Sequence, residues 1–426
     1  MKPLDRLTAA DIVRAVSAGQ TTCESVTRAC LERIAEREPR VQAWQHLDPA
    51  HALEQARALD RGGAKGPLQG VPIGIKDIID THDLPTEYSS PIYRGHRPAG
   101  DAACVALARK AGGVIMGKTV TTEFANRHPG KTMHPMDPAR TPGGSSSGSA
   151  AAVGDFMVPL AVGTQTTAST IRPASFCGCV GYRPTWGDIR LVGVKEAAGS
   201  LDTLGLIARS VEDIALLRDV LLGADPEPVP PLAGPLRVGF CRTHLWPQVA
   251  PYYQKAIEDA ARRLAAAGAI VSDASLPPDF ERIEDAHRWI SSYEFSRNFT
   301  WEIENHWELI STTLRNGRLK DGLSCSFSRY LQARTLAEDC RRQLTGVFQD
   351  YDVLITASTD GEAPVGLDRT GNAALCAIWT TMHVPAVTLP AFTGPNGLPL
   401  GLQLIGARNR DRELFAAAQW AWHALS

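Results

Sequence analysis

The chain has 426 residues, of which 44% are hydrophobic, and its formal net charge at pH 7 is −2. This charge provides no basic surface, and the sequence contains no DNA-binding or RNA-binding motif, so we expect no nucleic-acid partner. No apolar stretch reaches about 18 residues, and the opening "MKPLDRLTAADIVRAV" has no apolar core of a leader peptide. We therefore expect a cytoplasmic protein without membrane association.

The cysteines and histidines show no spacing typical of a metal site. Cys177 and Cys179 are the only close pair among nine cysteines, and the eleven histidines include no H-x-x-x-H pair. One cysteine pair is too few for a structural zinc site, and unpaired thiols are typical of a reducing compartment. The sequence therefore predicts buried free cysteines, no metal and no cofactor.

Helices and strands alternate from the N-terminus onwards. Thr8 is predicted to begin a short amphipathic helix that stops at Gly19. Thr21 and Glu24 form a capping box for a longer helix, which we expect Pro39 to end.

The alternation continues downstream. Asp101 is predicted to cap a helix that leads into the strand "VIMGK", and further helices are expected at 211–222 and 252–267. The segments "PLRVGFCR" and "GAIVSD" predict strands on either side of the second of these helices. Such alternation favours a mostly parallel sheet that is covered by helices on both faces.

Residues 280–345 differ from the rest of the chain in their closely spaced aromatic residues at helical intervals. Aromatic side chains with this periodicity are typical of a helical core. The six residues are Trp289, Tyr293, Phe295, Phe299, Trp301 and Trp307.

Lys76 lies in the apolar segment "VPIGIKDIID", which predicts the end of a buried strand. Burial disfavours the ammonium ion and lowers a lysine pKa, and a neutral lysine can act as a base towards a serine hydroxyl. The alternative is an ordinary lysine with a buried aliphatic stem and an ammonium group that reaches water.

Two serines follow Lys76 at positions that suit nucleophilic chemistry. Ser145 stands 69 residues later in "TPGGSSSGSAAAVG", and Ser169 stands 24 residues further on in "GTQTTASTIRPASFCG". Glycine–serine runs are often flexible linkers. This run, however, continues directly into the apolar segment "SAAAVGDFMVPLAVG", which predicts a loop anchored to a buried element. For Ser169 the alternative is an ordinary serine in a turn.

Together these three stretches resemble the amidase signature family, and the resemblance extends over most of the chain. It includes "GIKD" around Lys76, the glycine–serine box from Gly143 to Ser149, "RPASFCGCVGYRPTWG", and the C-terminal segments "YDVLITAS" and "GLPLGLQLIGARNRDRELFAAA". Within the family the chain is most similar to the short malonamidase-like members, through "GTQT" and the position of "IRP".

The resemblance implies one α/β domain over residues 1–426, built on a single mixed sheet. We see no linker that divides the chain, although its length alone predicts two or three domains. Residues 240–345 match the family weakly, and we expect this helical region to determine substrate selectivity.

The resemblance also implies the catalytic roles: Ser169 is the nucleophile, Ser145 follows a cis peptide bond, and Lys76 is the base. A proton would pass from Ser169 to Ser145 and from Ser145 to Lys76. This relay follows the nucleophile–base–orienter logic of serine hydrolases without a histidine.

The implied oxyanion hole departs from the family pattern. Its donors are the backbone N–H groups of Thr166, Thr167, Ala168 and Ser169. The family usually has glycine at one or both of the positions held here by Thr167 and Ala168. If either position requires positive φ, a β-branched threonine is strained there. The efficiency of the oxyanion hole is therefore open at this point.

Arg172 stands three residues after Ser169, as in the malonamidase-like members. A guanidinium group suits a planar carboxylate, so Arg172 is a candidate for binding a carboxylate on the substrate. The alternative is a structural arginine that pairs with core carbonyls or an acidic side chain.

These features predict an amidase that hydrolyses a small carboxamide, with or without a carboxylate, through an acyl-enzyme on Ser169. One alternative is an amidotransferase A-type subunit, which shares the motifs, although this chain is shorter and lacks the usual Asp-Thr-Gly-Gly before the nucleophile. A second alternative is a catalytically silent binding protein on the amidase fold. The expected partner is a small-molecule amide, and a homodimer is left open.

Overall fold

The structure, a computed structural model, describes residues 3–62 and 65–426. The strands are β1 (Trp44–Leu47), β2 (Pro72–Lys76), β3 (Val114–Thr119), β4 (Leu160–Gln165), β5 (Val180–Arg183), β6 (Thr203–Ala208), β7 (Arg237–Phe240), β8 (Ile270–Asp273), β9 (Val353–Ala357), β10 (Ala386–Thr393) and β11 (Pro399–Gly406). Within the described ranges they form one sheet in the order β1-β3-β2-β4-β6-β5-β10-β11-β9-β7-β8.

Helices occupy most of the chain between the strands. They are α1 (Ala9–Ser17), α2 (Cys23–Val41), α3 (Pro49–Asp60), α4 (Ala103–Lys110), α5 (Ser147–Gly154), α6 (Ile171–Cys177), α7 (Val211–Leu222), α8 (Pro251–Ala266), α9 (Ile283–Asn298), α10 (Thr300–His306), α11 (Thr312–Leu314), α12 (Lys320–Ser324), α13 (Phe327–Asp350), α14 (Ala374–Thr381) and α15 (Asp411–Leu425). Short 3-10 turns lie at Leu4–Arg6, Pro91–Tyr93, Glu123–Ala125, Trp246–Gln248, Pro278–Arg282 and Trp307–Leu309, and one π-helical turn lies at Arg315–Leu319.

Helices cover both faces of the sheet. Along β4, Leu160 and Val162 belong to one core cluster and Ala161 to another, as the alternation of side chains across a strand requires. Helices α4 and α7 contribute to the first cluster, and α3 and α5 contribute to the second. The predicted α/β class, with a mixed sheet in a single domain, is confirmed.

The sheet is mixed, as predicted, but it is not mostly parallel. In the described part of the chain four strand pairs are parallel, namely β2 with β3, β2 with β4, β7 with β8 and β7 with β9. The other six pairs are antiparallel. The physical reason lies in the connections: β10 and β11 are joined by a short turn, and β5 and β6 by a loop without a helix. Only a crossover connection makes neighbouring strands parallel.

The first two helices are found close to their predicted positions. Thr8 caps α1 as expected, but the cap of α2 is Thr22 rather than Thr21. Pro39 does not end α2 and lies within its last turn; the helix ends where Gln42 adopts a left-handed conformation with φ of 52°. The fixed φ of proline is compatible with helix geometry, so the helix passes through it.

The prediction that Asp101 caps α4 was wrong, because its carboxylate is used elsewhere. Asp101 accepts a hydrogen bond from the backbone N–H of His82 at 2.9 Å and forms an ion pair with Arg109 at 3.1 Å. The residue before α4 is Ala102, whose side chain makes no capping bond. Strands β3, β7 and β8 and helices α7 and α8 lie in the segments predicted for them.

The segment 280–345 is helical, as predicted, and two of its aromatic side chains are core residues. Phe295 and Phe299 are buried, and their ring centroids lie 4.3 Å apart. Trp289, Tyr293 and Trp307 are half-buried and pack against the core, whereas Trp301 is exposed.

All nine cysteines are buried and free, as predicted. Among residues 3–62 and 65–426, none of the helices combines the length and the hydropathy that a bilayer crossing requires.

Gly148 allows α5 to pack directly against the sheet. A Cβ atom at this position would contact the backbone oxygen of Ala43 and the backbone nitrogen of Val120, neither of which can rotate away. We expect Gly148→Ala to lower the free energy of unfolding by about 1–3 kcal/mol, the usual cost of overpacking. Urea denaturation measures the change.

The matched control is Gly346→Ala, because Gly346 lies inside α13 and a Cβ atom added there would meet no other atom within 4 Å. That variant should be stabilised by about 0.5–1 kcal/mol through higher helix propensity. Equal effects of the two substitutions would contradict the packing argument.

Candidate active site

Lys76 is fully buried at the end of β2, between the parallel neighbours β3 and β4. Its Nζ atom lies 2.7 Å from Ser145 Oγ and 2.7 Å from Thr164 Oγ1. The sequence analysis singled out Lys76 and Ser145 but not Thr164. Nothing in the sequence around Thr164 shows that its side chain, rather than a neighbouring one, contacts Lys76. The amine is therefore held by two hydroxyl groups in an otherwise apolar strand environment.

Burial lowers the pKa of Lys76 to about 7, and the negative charge of Asp202 opposes this shift. No ion pair joins Lys76 to a carboxylate in the described part of the chain. Near neutral pH a large fraction of the side chain is the free amine, which can accept a proton from a hydroxyl group.

A second buried lysine, Lys118 on β3, was missed by the sequence analysis. Its Nζ atom donates to the Ile79 carbonyl at 2.6 Å and to Thr86 Oγ1 at 2.5 Å, and it lies 3.4 Å from Asp77 Oδ1. The carboxylate adjacent to Lys76 in the chain thus neutralises Lys118. Burial lowers the pKa of Lys118 as well, but Asp77 counteracts the shift.

Ser145 lies in the glycine–serine loop just before α5. The peptide bond between Gly144 and Ser145 is cis. The Ser145 carbonyl accepts a hydrogen bond from the Thr122 backbone at 3.3 Å, and Gly143 has a φ of 83°. The loop is therefore fixed on both sides of the serine, as the sequence predicted for a loop anchored to a buried element.

Ser169 lies in the turn between β4 and α6 and is 8% exposed. Its carbonyl accepts a hydrogen bond from the Ser146 backbone at 3.2 Å, which joins the two serine loops. Ser169 and Ser145 line the same cavity. Among the hydrogen bonds of the described residues, none links the two hydroxyl groups directly.

The backbone before Ser169 accommodates the residues that replace glycine. Neither Thr167 nor Ala168 has positive φ. In the described part of the chain, the N–H groups of Thr167, Ala168 and Ser169 have no hydrogen-bond acceptor. Threonine and alanine are therefore unstrained at these positions, and three adjacent donors are available to a bound oxygen.

Gln165 and Thr380 hold the loop in place from the side of α14. The Oε1 atom of Gln165 accepts from the backbone N–H groups of Thr170 at 2.9 Å and Ile171 at 3.0 Å. Its Nε2 atom donates to Thr380 Oγ1 at 3.1 Å, and that hydroxyl donates to the Thr167 carbonyl at 2.7 Å. Gln165 lies in the motif that contains Ser169, whereas Thr380 lies 213 residues after its partner Thr167.

Asp202 holds Thr166 through its side chain. Thr166 Oγ1 donates to Asp202 Oδ1 at 2.5 Å, and the other carboxylate oxygen accepts from the backbone of Ala197 at 2.7 Å and of Ala198 at 2.9 Å. Burial raises the pKa of Asp202 to about 6. The hydrogen bonds oppose this shift because they favour the carboxylate.

His287 holds the same residue through its backbone, from α9. The imidazole Nε2 lies 3.0 Å from the Thr166 carbonyl oxygen, which can only accept, so the ring donates. Burial lowers the pKa of His287 to about 4, so the imidazole is neutral at physiological pH. Sequence analysis had no signal for this histidine, because it lies 121 residues from its partner.

Arg172 is buried and ties two loops to each other. Its Nη1 atom donates to the Gly371 carbonyl at 2.6 Å, and Nη2 donates to the Gly144 carbonyl at 2.6 Å and to Thr370 Oγ1 at 2.9 Å. Its Nε atom is buried without a partner. Burial lowers the pKa of Arg172 to about 10, so it is charged at neutral pH. Its role in binding a substrate carboxylate stays a prediction.

The cavity around the two serines has a volume of about 480 Å³, which suits a small molecule. Its wall includes residues from α9 and from the π-helical turn, both within the region 240–345 that was expected to match the family weakly. None of the six aromatic residues predicted there lines it. The lining residues are Ala125–Arg127, Ser145, Thr166–Ser169, Arg172, Glu284, His287, Arg288, Ser291, Ser292, Arg318, Asp321, Arg369–Ala374 and Ala377.

A larger cavity of about 1020 Å³ lies elsewhere, between residues 230–237, α13 and the start of α15. It contains none of the predicted catalytic residues. The smaller cavity is therefore the candidate active site.

The chain matches the family model Amidase over residues 25–415. The glutamyl-tRNA(Gln) amidotransferase A subunit of Chloroflexus aggregans is 35% identical over 95% of this chain and 94% of that protein. The crystal structure of an amidase superposes with a TM-score of 0.90 at 28% identity, covering 99% of this chain and 100% of the other. Native peptide amidase from Stenotrophomonas maltophilia gives a TM-score of 0.87 at 28% identity, covering 99% and 98%.

The fold and the match over nearly the whole chain define the class: this protein belongs to the amidase signature family. It is an enzyme, a hydrolase that acts on the carbon–nitrogen bonds of amides. The closer similarity to malonamidase-like members stays a prediction.

Replacement of Lys76 tests its shifted pKa directly. The folded pKa of about 7 lies below the value of about 10.4 in an unfolded chain. As the pH falls from about 10 to about 7, the unfolded chain gains a proton that the folded chain excludes. As the pH falls through this range, the wild type should therefore lose stability relative to Lys76→Met. The difference in unfolding free energy should grow by up to about 1.4 kcal/mol for each pH unit lowered and stay constant below pH 7.

Urea denaturation of both proteins across this pH range gives the difference. Lys118→Met is the control, because it leaves Asp77 buried without its partner and should destabilise the protein instead. A difference between wild type and Lys76→Met that does not vary with pH would show that the pKa of Lys76 is not lowered.

Proposed function

We propose that this protein hydrolyses a small carboxamide through an acyl-enzyme on Ser169. The observation that carries the proposal is the 2.7 Å contact between Lys76 Nζ and Ser145 Oγ, at a lysine with a pKa of about 7. Ser145 and Ser169 line the same cavity. A base, a relay hydroxyl and a candidate nucleophile are thus available at one site.

In the first half-reaction the Ser169 oxygen attacks the amide carbonyl carbon. Its proton passes to Ser145 Oγ, and the Ser145 proton passes to Lys76 Nζ. The carbonyl oxygen becomes an oxyanion, for which the free N–H groups of Thr167, Ala168 and Ser169 are available donors. When the carbon–nitrogen bond breaks, the relay returns the proton to the leaving amine.

In the second half-reaction water attacks the ester carbonyl of the acyl-enzyme. The same relay takes one proton from the water and returns it to Ser169, which releases the carboxylic acid. Thr164 supports both halves by holding the lysine amine. His287, Asp202 and Gln165 act as positioning residues, since each contacts the oxyanion loop and none is proposed to touch the substrate.

Loss of the nucleophile provides the primary test. Ser169→Ala should abolish hydrolysis and labelling by a fluorophosphonate probe without changing thermal unfolding. Ser145→Ala and Lys76→Met should lower kcat by about 10²–10⁴-fold, the range typical of lost acid–base catalysis. Amide turnover and probe labelling are measured side by side on the purified variants.

Ser272→Ala serves as the control, because Ser272 lies on β8 at the protein surface and far from the cavity. Turnover by Ser169→Ala at the wild-type rate would remove the assignment. A wild-type protein that is neither labelled nor active would instead support a silent binding protein.

A second candidate function, the A-type subunit of an amidotransferase, is favoured by sequence similarity. The curated relatives at 33–35% identity include such subunits from Chloroflexus aggregans and Thermobifida fusca, and these identities exceed those to the solved amidases. The expected difference in length does not exclude this function, because the chain covers 94–95% of those two relatives. The absence of Asp-Thr-Gly-Gly before Ser169 still distinguishes the chain from the pattern expected of such subunits.

Activity of the isolated chain separates the two candidates. If the protein is an independent amidase, purified chain should hydrolyse at least one member of a panel of small carboxamides, including L-glutamine, with a kcat of about 1 s⁻¹ or more. Ammonia release is measured in a coupled assay. A chain that is labelled on Ser169 but turns over no amide without added partner subunits would support the amidotransferase function.

A further inference from the structure

Five arginines lie in the wall of the active-site cavity, and the proposed mechanism uses none of them. Two of them, Arg127 and Arg318, stand in unusual backbone settings. Arg127 follows a tight turn in which Phe124 and Ala125 have φ of 49° and 56°. Non-glycine residues in this conformation are uncommon and concentrate at functional sites. Arg318 lies in the π-helical turn, a rare conformation that is also frequent at functional sites.

The acidic side chains of the wall, Asp321 and Glu284, form their direct contacts with other residues. Asp321 accepts both of its hydrogen bonds from Arg288, at 2.6 Å and 2.8 Å. Glu284 accepts from His244 Nε2 at 2.9 Å. In the described part of the chain, neither Arg127 nor Arg318 donates a side-chain hydrogen bond or forms an ion pair.

The arginine charges converge on the same space. Burial and then the charge of Arg127 lower the pKa of Arg318 to about 10. Arg127 also lowers the pKa of Arg172 and of His287, although burial is the larger cause in both. Arg318 additionally lies over the ring of Phe295, at 5.8 Å from its centroid. Asp202 and Asp321 oppose part of this shift at Arg318. The wall nevertheless has five arginines and only two carboxylates among the described residues, so this region of the cavity carries a net positive charge.

An unused amide donor lies beside this region. The Nδ2 atom of Asn126 is buried and has no hydrogen-bond partner among residues 3–62 and 65–426, and Asn126 lines the cavity next to Arg127. Buried polar groups are almost always hydrogen-bonded in native proteins. A negatively charged acceptor would satisfy the side-chain donors of Arg127, Arg318 and Asn126.

We propose that Arg127 and Arg318 bind a carboxylate of the substrate, so that the enzyme acts on small amides that carry a carboxylate at the other end. This inference rests on the proposed function and assigns the carboxylate to a different pair from Arg172, whose Nη atoms already donate to protein oxygens. Guanidinium groups match the planar, two-oxygen acceptor of a carboxylate. A cavity of about 480 Å³ limits the substrate to a small molecule.

Binding is tested without turnover in a Ser169→Ala background. Malonate, succinate and glutarate are titrated by calorimetry into this protein and into the same protein with Arg318→Gln or Arg127→Gln. We expect at least one dicarboxylate to bind, with about tenfold to hundredfold weaker binding in either arginine variant, as for the loss of a hydrogen bond to a charged group. Arg262→Gln is the control for a general change in charge, because Arg262 is exposed on α8.

Turnover provides a second measurement with an isosteric pair. Succinamate and succinamide differ only by a carboxylate in place of a carboxamide. Arg318→Gln should raise KM for succinamate about tenfold or more and lower kcat/KM for succinamate by a much larger factor than for succinamide, and Arg318→Lys should lie between. Equal losses for both substrates, or no dicarboxylate binding to Ser169→Ala, would overturn the inference.

The two proposals fail in different ways. If Ser169→Ala retained turnover, the nucleophile assignment would fail, while the calorimetric comparison would still report on the arginines. If Arg318→Gln did not fold, the same measurements on Arg127→Gln would test the proposal. Arg127 is exposed at the cavity rim, and its side chain donates no hydrogen bond to the described residues.

Discussion

The chemistry of this protein depends on keeping one amine inside the sheet without a carboxylate partner. Lys76 is surrounded by strands β2, β3 and β4, and its amine is held by the hydroxyl groups of Ser145 and Thr164. Hydroxyl groups satisfy its hydrogen bonds but do not stabilise its charge as an acidic group would, so desolvation dominates. The nearest carboxylate in the chain, Asp77, pairs with Lys118. The fold thereby produces two buried lysines with different electrostatic environments on adjacent strands.

A second constraint acts on the loop that carries Ser169. Donors that stabilise an oxyanion must be fixed before the reaction, because their value lies in requiring no reorganisation. Here the loop is held from three sides: by Gln165 and Thr380, by Asp202, and by His287. All of these contacts leave the three N–H groups of the loop free. Side chains thus supply the rigidity, and glycine is not needed before the nucleophile because neither Thr167 nor Ala168 has positive φ.

The sequence predicted those functional residues whose role can be inferred from their neighbours in the chain. Lys76 was identifiable because a charge in an apolar strand is anomalous, and the serines because a polar run enters a buried element. Thr164 and His287 were not, because their roles arise only where segments distant in the chain pack together. The strand directions were mispredicted for a related reason: helix–strand alternation is a local pattern, whereas the pairing of β10 with β5 joins strands about 200 residues apart. At the start of α2, the capping-box pattern selected Thr21 because Glu24 stands three residues later. Glu24 instead pairs with Arg28 and Arg57, and Thr22 is the cap.

The hydrogen bond from His287 to Thr166 has an evolutionary consequence. Helix α9 lies in the region that we expect to determine substrate selectivity, and it contributes to the wall of the cavity. His287 of the same helix donates a hydrogen bond to the backbone of the loop that carries the reactive serine. Substitutions in this helix that change which acyl group is accepted therefore also disturb the loop that carries Ser169. Substrate specificity and catalytic rate cannot change independently. Relatives with altered preferences should carry compensating changes around residue 166, and a grafted α9 should function only together with its matching loop.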